Sequence, residues 1–401
     1  MLRTLRDPST GEPIDRAVLL WFPAPASLTG EDVAEIQHHG GPAIAAALAE
    51  VLTRLPGLDP AGPGEFTRRA FLNGKLDLAA AEAVDDLVSA TTRAQLRQAF
   101  HQAAGALAQS CDRWRASLLD ALALLEAELD LGAEEADVPA GLLDAARPTL
   151  ERVRAEMAAA LAGAGPAERL REGLVVAVVG PPNAGKSTLV NRLAGRDVAI
   201  VTPIPGTTRD VIEVPLELDG LPITLLDTAG LRSSEDPVER LGVERARDRA
   251  ARADLCLVLL DATGGPQPLA ELPGRPEDRL VAVNKIDAAA VPAALRSVPG
   301  LVPLSCRTGE GVDRLLDQLT ELARERLRGA EHALVTRARH RVALGEAVAA
   351  LQRLLGAPPG AELVLLAEEL RLAAGAIGRV TGRVAVDELL DRIFARFCVG
   401  K

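Results

Sequence analysis

Gly180-Pro181-Pro182-Asn183-Ala184-Gly185-Lys186-Ser187 decides how the chain folds. The apolar, β-branched run from Leu174 to Val179 leads into it, and the stretch that follows has helical texture. A strand, a loop of the form GxxxxGK[ST] and a helix make up a phosphate-cradling unit of an α/β domain. The glycines let backbone N–H groups close around phosphate oxygens. Lys186 supplies a point charge at the β and γ positions, and the Ser187 hydroxyl, with Thr188 beside it, can reach Mg²⁺. The helix that starts there adds its positive end.

Three further motifs follow, each at the carboxyl end of an apolar run. Asp227-Thr228-Ala229-Gly230 closes the run Ile223 to Leu226. An Asp there holds Mg²⁺ through water, and the glycine amide can sense a γ-phosphate. Asn284-Lys285-Ile286-Asp287 ends the run Leu280 to Val283. The Asp287 carboxylate can accept the N1 and 2-amino protons of guanine, and adenine would leave it unpaired. Ser305-Cys306-Arg307 can offer backbone amides to the guanine carbonyl oxygen. The set points to GTP bound outside the strand ends of a mostly parallel sheet. Leu231 occupies the position where small GTPases carry a water-orienting glutamine, so that function must come from elsewhere. By residue type, Ser234, Glu235, Asp236 and Glu239 are all available in the segment beyond Gly230.

Working outward, the α/β texture gives way on both sides to Ala/Leu/Glu/Arg-rich helical texture, from about Leu76 to Leu161 and again after about Ala330. The first of these stretches is broken near Gly132 and Pro139. In the second, Leu389, Leu390, Ile393, Phe394 and Phe397 fall on one helical face behind an N-cap at Asp387. Residues 1 to about 72 mix short apolar runs with Pro/Gly breaks and predict a small α/β unit. One domain inserted into a helical one explains the order. The 48% hydrophobic and 25% charged composition fits a globular chain. A net charge of −11 argues against a protein that coats nucleic acid unaided. Cys111, Cys256, Cys306 and Cys398 lie far apart, which suggests a reducing compartment without disulfides. The opening MLRTLRDPST has no apolar h-region and no run reaches membrane-spanning length, so a cytoplasmic protein with no membrane contact is expected.

With Pro205-Gly206-Thr207-Thr208-Arg209-Asp210 between the first two motifs, the set resembles the Era/Der/MnmE group of bacterial GTPases. The flanks narrow the resemblance to the MnmE (TrmE) tRNA-modification GTPases. They are Leu28-Thr29-Gly30-Glu31-Asp32, Pro63-Gly64-Glu65-Phe66-Thr67, Arg69 to Leu78 and Arg396-Phe397-Cys398-Val399-Gly400-Lys401. The resemblance runs the length of the chain. It implies an N-terminal α/β folate-binding and dimerising domain (1–74), a discontinuous helical bundle (75–170 and 330–401) and an inserted Ras-like P-loop G domain (171–329). It further implies a homodimer that works with the flavoprotein MnmG in a heterotetramer-like complex, with tRNA held mainly through that complex. The implied chemistry is K⁺-dependent GTP hydrolysis driving a conformational change. It accompanies addition of a carboxymethylaminomethyl group to the 5-position of the wobble uridine, with a one-carbon unit from a tetrahydrofolate derivative in its 5-formyl or methylene form.

Carried over residue by residue, the resemblance gives K⁺ the Asn183 side chain with Thr202, Ile204 and Thr207, and Mg²⁺ the hydroxyls of Ser187 and Thr208. The nucleotide-contacting segment is Thr202-Pro203-Ile204-Pro205-Gly206-Thr207-Thr208. Glu239, in Val238-Glu239-Arg240, matches the family's water-positioning glutamate. Its folate contacts match Glu35, Lys75 and Lys401. The family's glycine-rich opening strand and its folate-contacting arginine have no counterpart from Met1 onward, so the folate site is expected to be incomplete as written.

Other features have plainer readings. Gln37-His38-His39 invites a metal, but adjacent histidines point different ways, and structural or solvated roles are expected. Cys398 reads either as a reactive thiol or as part of a docked apolar tail. The charged run Arg240 to Arg252 reads as a solvated helix face. The rival functions are a ribosome-assembly GTPase of the Era/Der type, which would usually append a basic RNA-binding domain, and a non-catalytic scaffold.

Overall fold

The computed structural model of the chain describes residues 1–131, 142–196, 198–199, 213–227, 253–264, 275–383, 393 and 397. The sequence expectations for Thr202–Thr208, Thr228–Gly230, Leu231, Ser234 to Asp236, Glu239, Arg240–Arg252, Asp387 to Leu390, Cys398 and Lys401 lie outside these residues.

Leu2–Arg6 (β1), Pro13–Phe22 (β2) and Val33–Gln37 (β3) form an antiparallel sheet in the order β1-β2-β3. The helices Pro42–Thr53 (α1), Glu65–Leu72 (α2), Leu78–Ser89 (α3), Arg93–Ala103 (α4), Ala106–Leu131 (α5), Leu142–Ala162 (α6) and Ala164–Glu172 (α7) follow. The α/β segment runs Leu174–Val179 (β4), Lys186–Ala194 (α8), Glu213–Leu218 (β5), Leu221–Asp227 (β6), Leu255–Asp261 (β7), Arg279–Asn284 (β8), Val302–Pro303 (β9) and Val312–Arg326 (α9). Ala338–Leu355 (α10) and Leu363–Thr381 (α11) come last.

The chain divides into two compact units. One holds Met1–Asp85, Gln102–Met157 and Val342–Lys401, and the other Asp86–His101 and Ala158–Arg341. In the first, α5 buries Leu107, Cys111, Trp114, Leu118, Ala121 and Leu125, alternating spacings of four and three residues. That is the stripe a helix presents to near-parallel neighbours, and α11 packs along α5. Trp114 is buried on this stripe, and its indole N–H donates to Glu156 Oε2 on α6 at 2.8 Å. Arg147 of α6 caps a last-turn carbonyl of α10, donating to Leu355 O at 2.8 Å.

The second unit is a six-stranded sheet in the order β5-β6-β4-β7-β8-β9, parallel except for β5 at the edge. Leu255, Leu257 and Leu259 of β7 pack into one core with Val176 and Val178, while Val258 and Leu260 pack into another with Val281 and Val283. Both faces are therefore buried, which is why these strands read as unbroken apolar runs. Each such Leu or Val contributes about 1.5–3 kcal/mol by leaving water.

Residues 86–101, which the sequence texture places in the helical segment, group with this α/β unit. Polar ties from α4 account for it. Gln98 Nε2 donates to the carbonyls of Ala167 and Ala330 at 3.1 and 3.0 Å, and Gln95 Nε2 to Arg171 O at 3.0 Å. Arg97 forms a two-pronged pair with Glu331 at 2.7 Å. The helix thus holds together the chain segments that lead into and out of the sheet.

Candidate nucleotide site

The strand order turns back on itself at β4, which lies between β6 and β7, and the loop after β4 opens at that switch point. Gly180 has φ +149°, and a Cβ there would lie 2.1 Å from the Leu259 carbonyl oxygen, so the loop can leave the sheet only on glycine. Asn183 takes a left-handed backbone, φ 62°, which asparagine tolerates, and it is exposed. Gly185 caps α8. The Lys186 side chain folds back over its own loop, with Nζ donating to Gly180 O at 3.0 Å and Pro181 O at 2.9 Å. The ammonium therefore sits over the first two carbonyls of the loop, which phosphate oxygens can replace. Ser187 is half-buried in the first turn of α8, Thr188 beside it is exposed, and Asp227 is 1% exposed at the end of β6.

The base-reading motifs meet this loop through Asn284. Its Nδ2 donates to Ala184 O at 2.7 Å and its Oδ1 accepts from the Cys306 amide at 2.9 Å. One buried side chain thus joins the phosphate loop, β8 and the loop after β9. A Cβ on Gly185 would lie 2.3 Å from that Nδ2, so the latch requires glycine on the loop side.

Beyond it, Asp287 Oδ1 accepts from Ser305 Oγ at 2.5 Å, and Oδ2 from Arg307 at 2.8 Å (Nε) and 2.7 Å (Nη2). The Ser305 hydroxyl, with help from the Arg307 guanidinium and against the effect of burial, holds this carboxyl below its usual range. It stays an anion at neutral pH, as an acceptor of two guanine protons must. Ile286 lies between Lys285 and Asp287 with its amide directed at Leu304 O.

Sequence reasoning missed two partners here. Asp261, at the end of β7 and level with Asn284, accepts from Lys285 Nζ at 2.5 Å and caps the Thr263 amide at 2.8 Å. Burial works to raise this carboxyl, but the bonds from Lys285 and Thr263 prevail and leave it lowered. Lys285 itself has φ 69°. Parallel strands ending side by side could have suggested the pair, since Asp261 closes an apolar run as Asn284 does. The second partner is Arg192 on α8, whose Nη1 donates to the carbonyls of Cys306 and Arg307 at 2.8 and 3.2 Å. No local pattern marks it. Burial pushes the Cys306 thiol up to about 11, so this cysteine acts as packing.

In the other unit, Glu35 lies exposed on β3, opposite Leu20, and Lys75 donates from Nζ to Pro25 O at 2.8 Å. The described bonds do not join these two residues. His38 and His39 have structural partners: the His38 ring accepts the Gly40 amide at 3.0 Å, and His39 pairs with Asp15 at 2.8 Å. Among the described residues, no cluster of three or more His, Cys, Asp or Glu could hold a metal ion.

Comparison with known proteins agrees with this arrangement. Residues 78–398 match the family described as the MnmE helical domain, and residues 1–75 the family described as the N-terminus of the GTP-binding protein TrmE. The protein named tRNA modification GTPase MnmE from Rhodopseudomonas palustris is 52% identical over 393 residues, 98% of this chain and 87% of the relative. Those from Bradyrhizobium sp. (strain ORS 278) and Methylobacterium sp. (strain 4-46) are 52% and 50% identical over 402 residues each. They cover 99% and 100% of this chain, and 88% and 90% of the relatives. The G domain of the T. maritima FeoB iron transporter aligns with 37% of this chain and 98% of its own, at 29% identity and a TM-score of 0.28. With a phosphate-loop motif latched to the loop after β9, and relatives at half identity along its whole length, the chain belongs to the MnmE family.

Proposed function

We propose that the chain is a GTP hydrolase of tRNA modification, as its relatives are named. The observation that carries the nucleotide reading is the Asn284 latch, which holds the phosphate loop and the loop after β9 in one frame beside Asp287. In that frame the loop amides and the start of α8 take the phosphates, and Lys186 exchanges its own loop's carbonyls for their oxygens. The Asp287 carboxylate accepts the N1 and 2-amino protons of guanine and so rejects adenine. The ribosome-assembly reading has less support, because the family match includes both the N-terminal and the helical parts.

The finer reading follows the family. The donor set at the phosphate end suits Mg²⁺: the half-buried Ser187 hydroxyl is a hard oxygen ligand, the buried Asp227 carboxylate would hold the ion through water, and Thr208 would complete the protein's share. When bound, the ion neutralises charge on the β and γ oxygens. The exposed Asn183, held in a left-handed turn, offers K⁺ an amide oxygen alongside Thr202, Ile204 and Thr207. Glu239 orients the attacking water, since Leu231 cannot. Glu35, Lys75 and Lys401 hold the folate, in a homodimer that joins MnmG in the cytoplasm to modify the wobble uridine at its 5-position. No described helix is long and apolar enough to cross a membrane.

Single-turnover GTP hydrolysis tests this reading. Turnover should be fast in K⁺ and slow in Na⁺, and Glu239→Ala should lower it roughly 10²-fold with nucleotide affinity unchanged. Equal rates in the two salts would remove K⁺ from the mechanism, and a loss under about threefold would return Glu239 to a structural role.

A further inference from the structure

From the geometry around the loop after β9, we propose that Arg192 is a specificity-positioning residue. By gripping that loop from the α8 side, it aims the Arg307 amide at the 6-oxo group of guanine. The inference rests on the guanine reading of the site.

The expectation that Ser305-Cys306-Arg307 offers its amides to the base meets an obstacle. The Cys306 amide is already given to Asn284 Oδ1 at 2.9 Å, and the Thr308 amide to Ser305 Oγ at 3.1 Å. Among the described residues the Arg307 amide has no acceptor, which makes it the donor left for a base. Its direction is set by the peptide it belongs to. The Cys306 carbonyl and the Arg307 N–H share one trans peptide plane and point in opposite directions. Arg192 Nη1 holds that carbonyl at 2.8 Å, so the N–H faces away from α8. The same nitrogen reaches Arg307 O at 3.2 Å, fixing two consecutive peptides with one guanidinium. A cation on the carbonyl also polarises the peptide and strengthens its N–H as a donor.

Gly309 completes the arrangement. It has φ +93°, and a Cβ there would lie 2.4 Å from Arg192 Nη2 and 3.2 Å from Cζ. The guanidinium occupies the space a side chain at Gly309 would need, so glycine there leaves room for the arginine. Because Arg192 lies on the helix that begins with Lys186, the grip also ties base recognition to the phosphate loop.

The test pairs a residue change with a base change, using the full-length chain with Mg²⁺. Affinities for GTP and for 2-aminopurine riboside triphosphate, which lacks the 6-oxo group and with it the N1 proton that Asp287 accepts, are measured for wild type, Arg192→Ala and Arg192→Lys, and each variant is compared with wild type on the same nucleotide. Arg192→Ala should weaken GTP about tenfold, the scale of one well-placed hydrogen bond, and the analogue less than about twofold. In hydrolysis the change should raise KM and leave kcat near wild type, since the grip lies at the base end. Arg192→Lys keeps the charge but not the planar fork, so its GTP loss should be intermediate, and it carries the test if the alanine variant does not fold. Equal losses for the two nucleotides, or no loss at all, would overturn the proposal. Asp287→Asn is measured alongside. If it leaves GTP affinity unchanged, the guanine site itself is misassigned, a failure distinguishable from that of Arg192.

Discussion

The two sheets of the protein contrast in what covers them. In the six-stranded sheet, β4, β7 and β8 are buried almost throughout, with helices and apolar loops supplying a core on each face. In the three-stranded sheet only Ala17 is fully buried, and Trp21 and Leu2 are 61% and 51% exposed. Both sheets contain apolar runs, so a run marks a strand without saying what lies over it. The first sheet supplies its own cover and can fix side chains to a fraction of an ångström, as the Asn284 latch requires. The second leaves apolar surface of the kind that a protein partner covers. That exposure supports the proposed homodimer.

The contrast can be broken by substitution. Gly180→Ala sets a methyl group against the Leu259 carbonyl at a backbone angle that only glycine adopts readily. It should cost at least about 3 kcal/mol of local stability, read as lost amide protection across β4 and β7 in hydrogen exchange. Gly74→Ala, in the other unit, meets nothing within 4 Å and suffers only its φ of 68°. There the expected loss is about 1 kcal/mol. Equal losses would mean that the nucleotide unit is no more tightly built than its neighbour. Between these two in size, Trp21→Asp should weaken self-association at least about tenfold in sedimentation while leaving GTP binding intact. An unchanged dimer would show that the exposed face of the small sheet has another use.

The smallest effect belongs to pH. Asp261 is held below its usual carboxylate value of 3.8, against burial, by Lys285 and Thr263. A lowered folded pKa means that its contribution is complete above the unfolded value and lost as pH falls through the folded one. Amide protection at the ends of β7 and β8 should therefore drop as pH falls below the ordinary carboxylate value of 3.8. In Asp261→Asn the protection should be lower at pH 5 and should change less over the same window. An identical acid profile would remove the Lys285 pair from the stability of the base end.

Much of the candidate site could be read from the chain because its parts are local. The loop from Gly180 to Ser187 must hold glycine where it touches a neighbouring strand or side chain, at Gly180 and Gly185, and the apolar run before it marks a strand buried on both faces. The grouping of residues 86–101 with the α/β unit could not be read that way, because Gln98 bonds to carbonyls 69 and 232 residues away. Nor could the fate of the Cys306 amide, which depends on where Asn284 points once β8 and β9 lie side by side.

By itself, then, the sequence determined the strand–loop–helix frame, the place of Asp287 just beyond an apolar strand and the order of the segments, all of which depend on neighbours a few residues apart. Tertiary structure alone decided which amide remains for the base, that Arg192 lies beneath that loop, and that Asp261 meets Lys285. Asn284 and Cys306 are 22 positions apart, Asp261 and Lys285 24, and Arg192 and Arg307 115. Spacing along a chain carries no information about such pairs until the sheet order brings them within hydrogen-bonding reach.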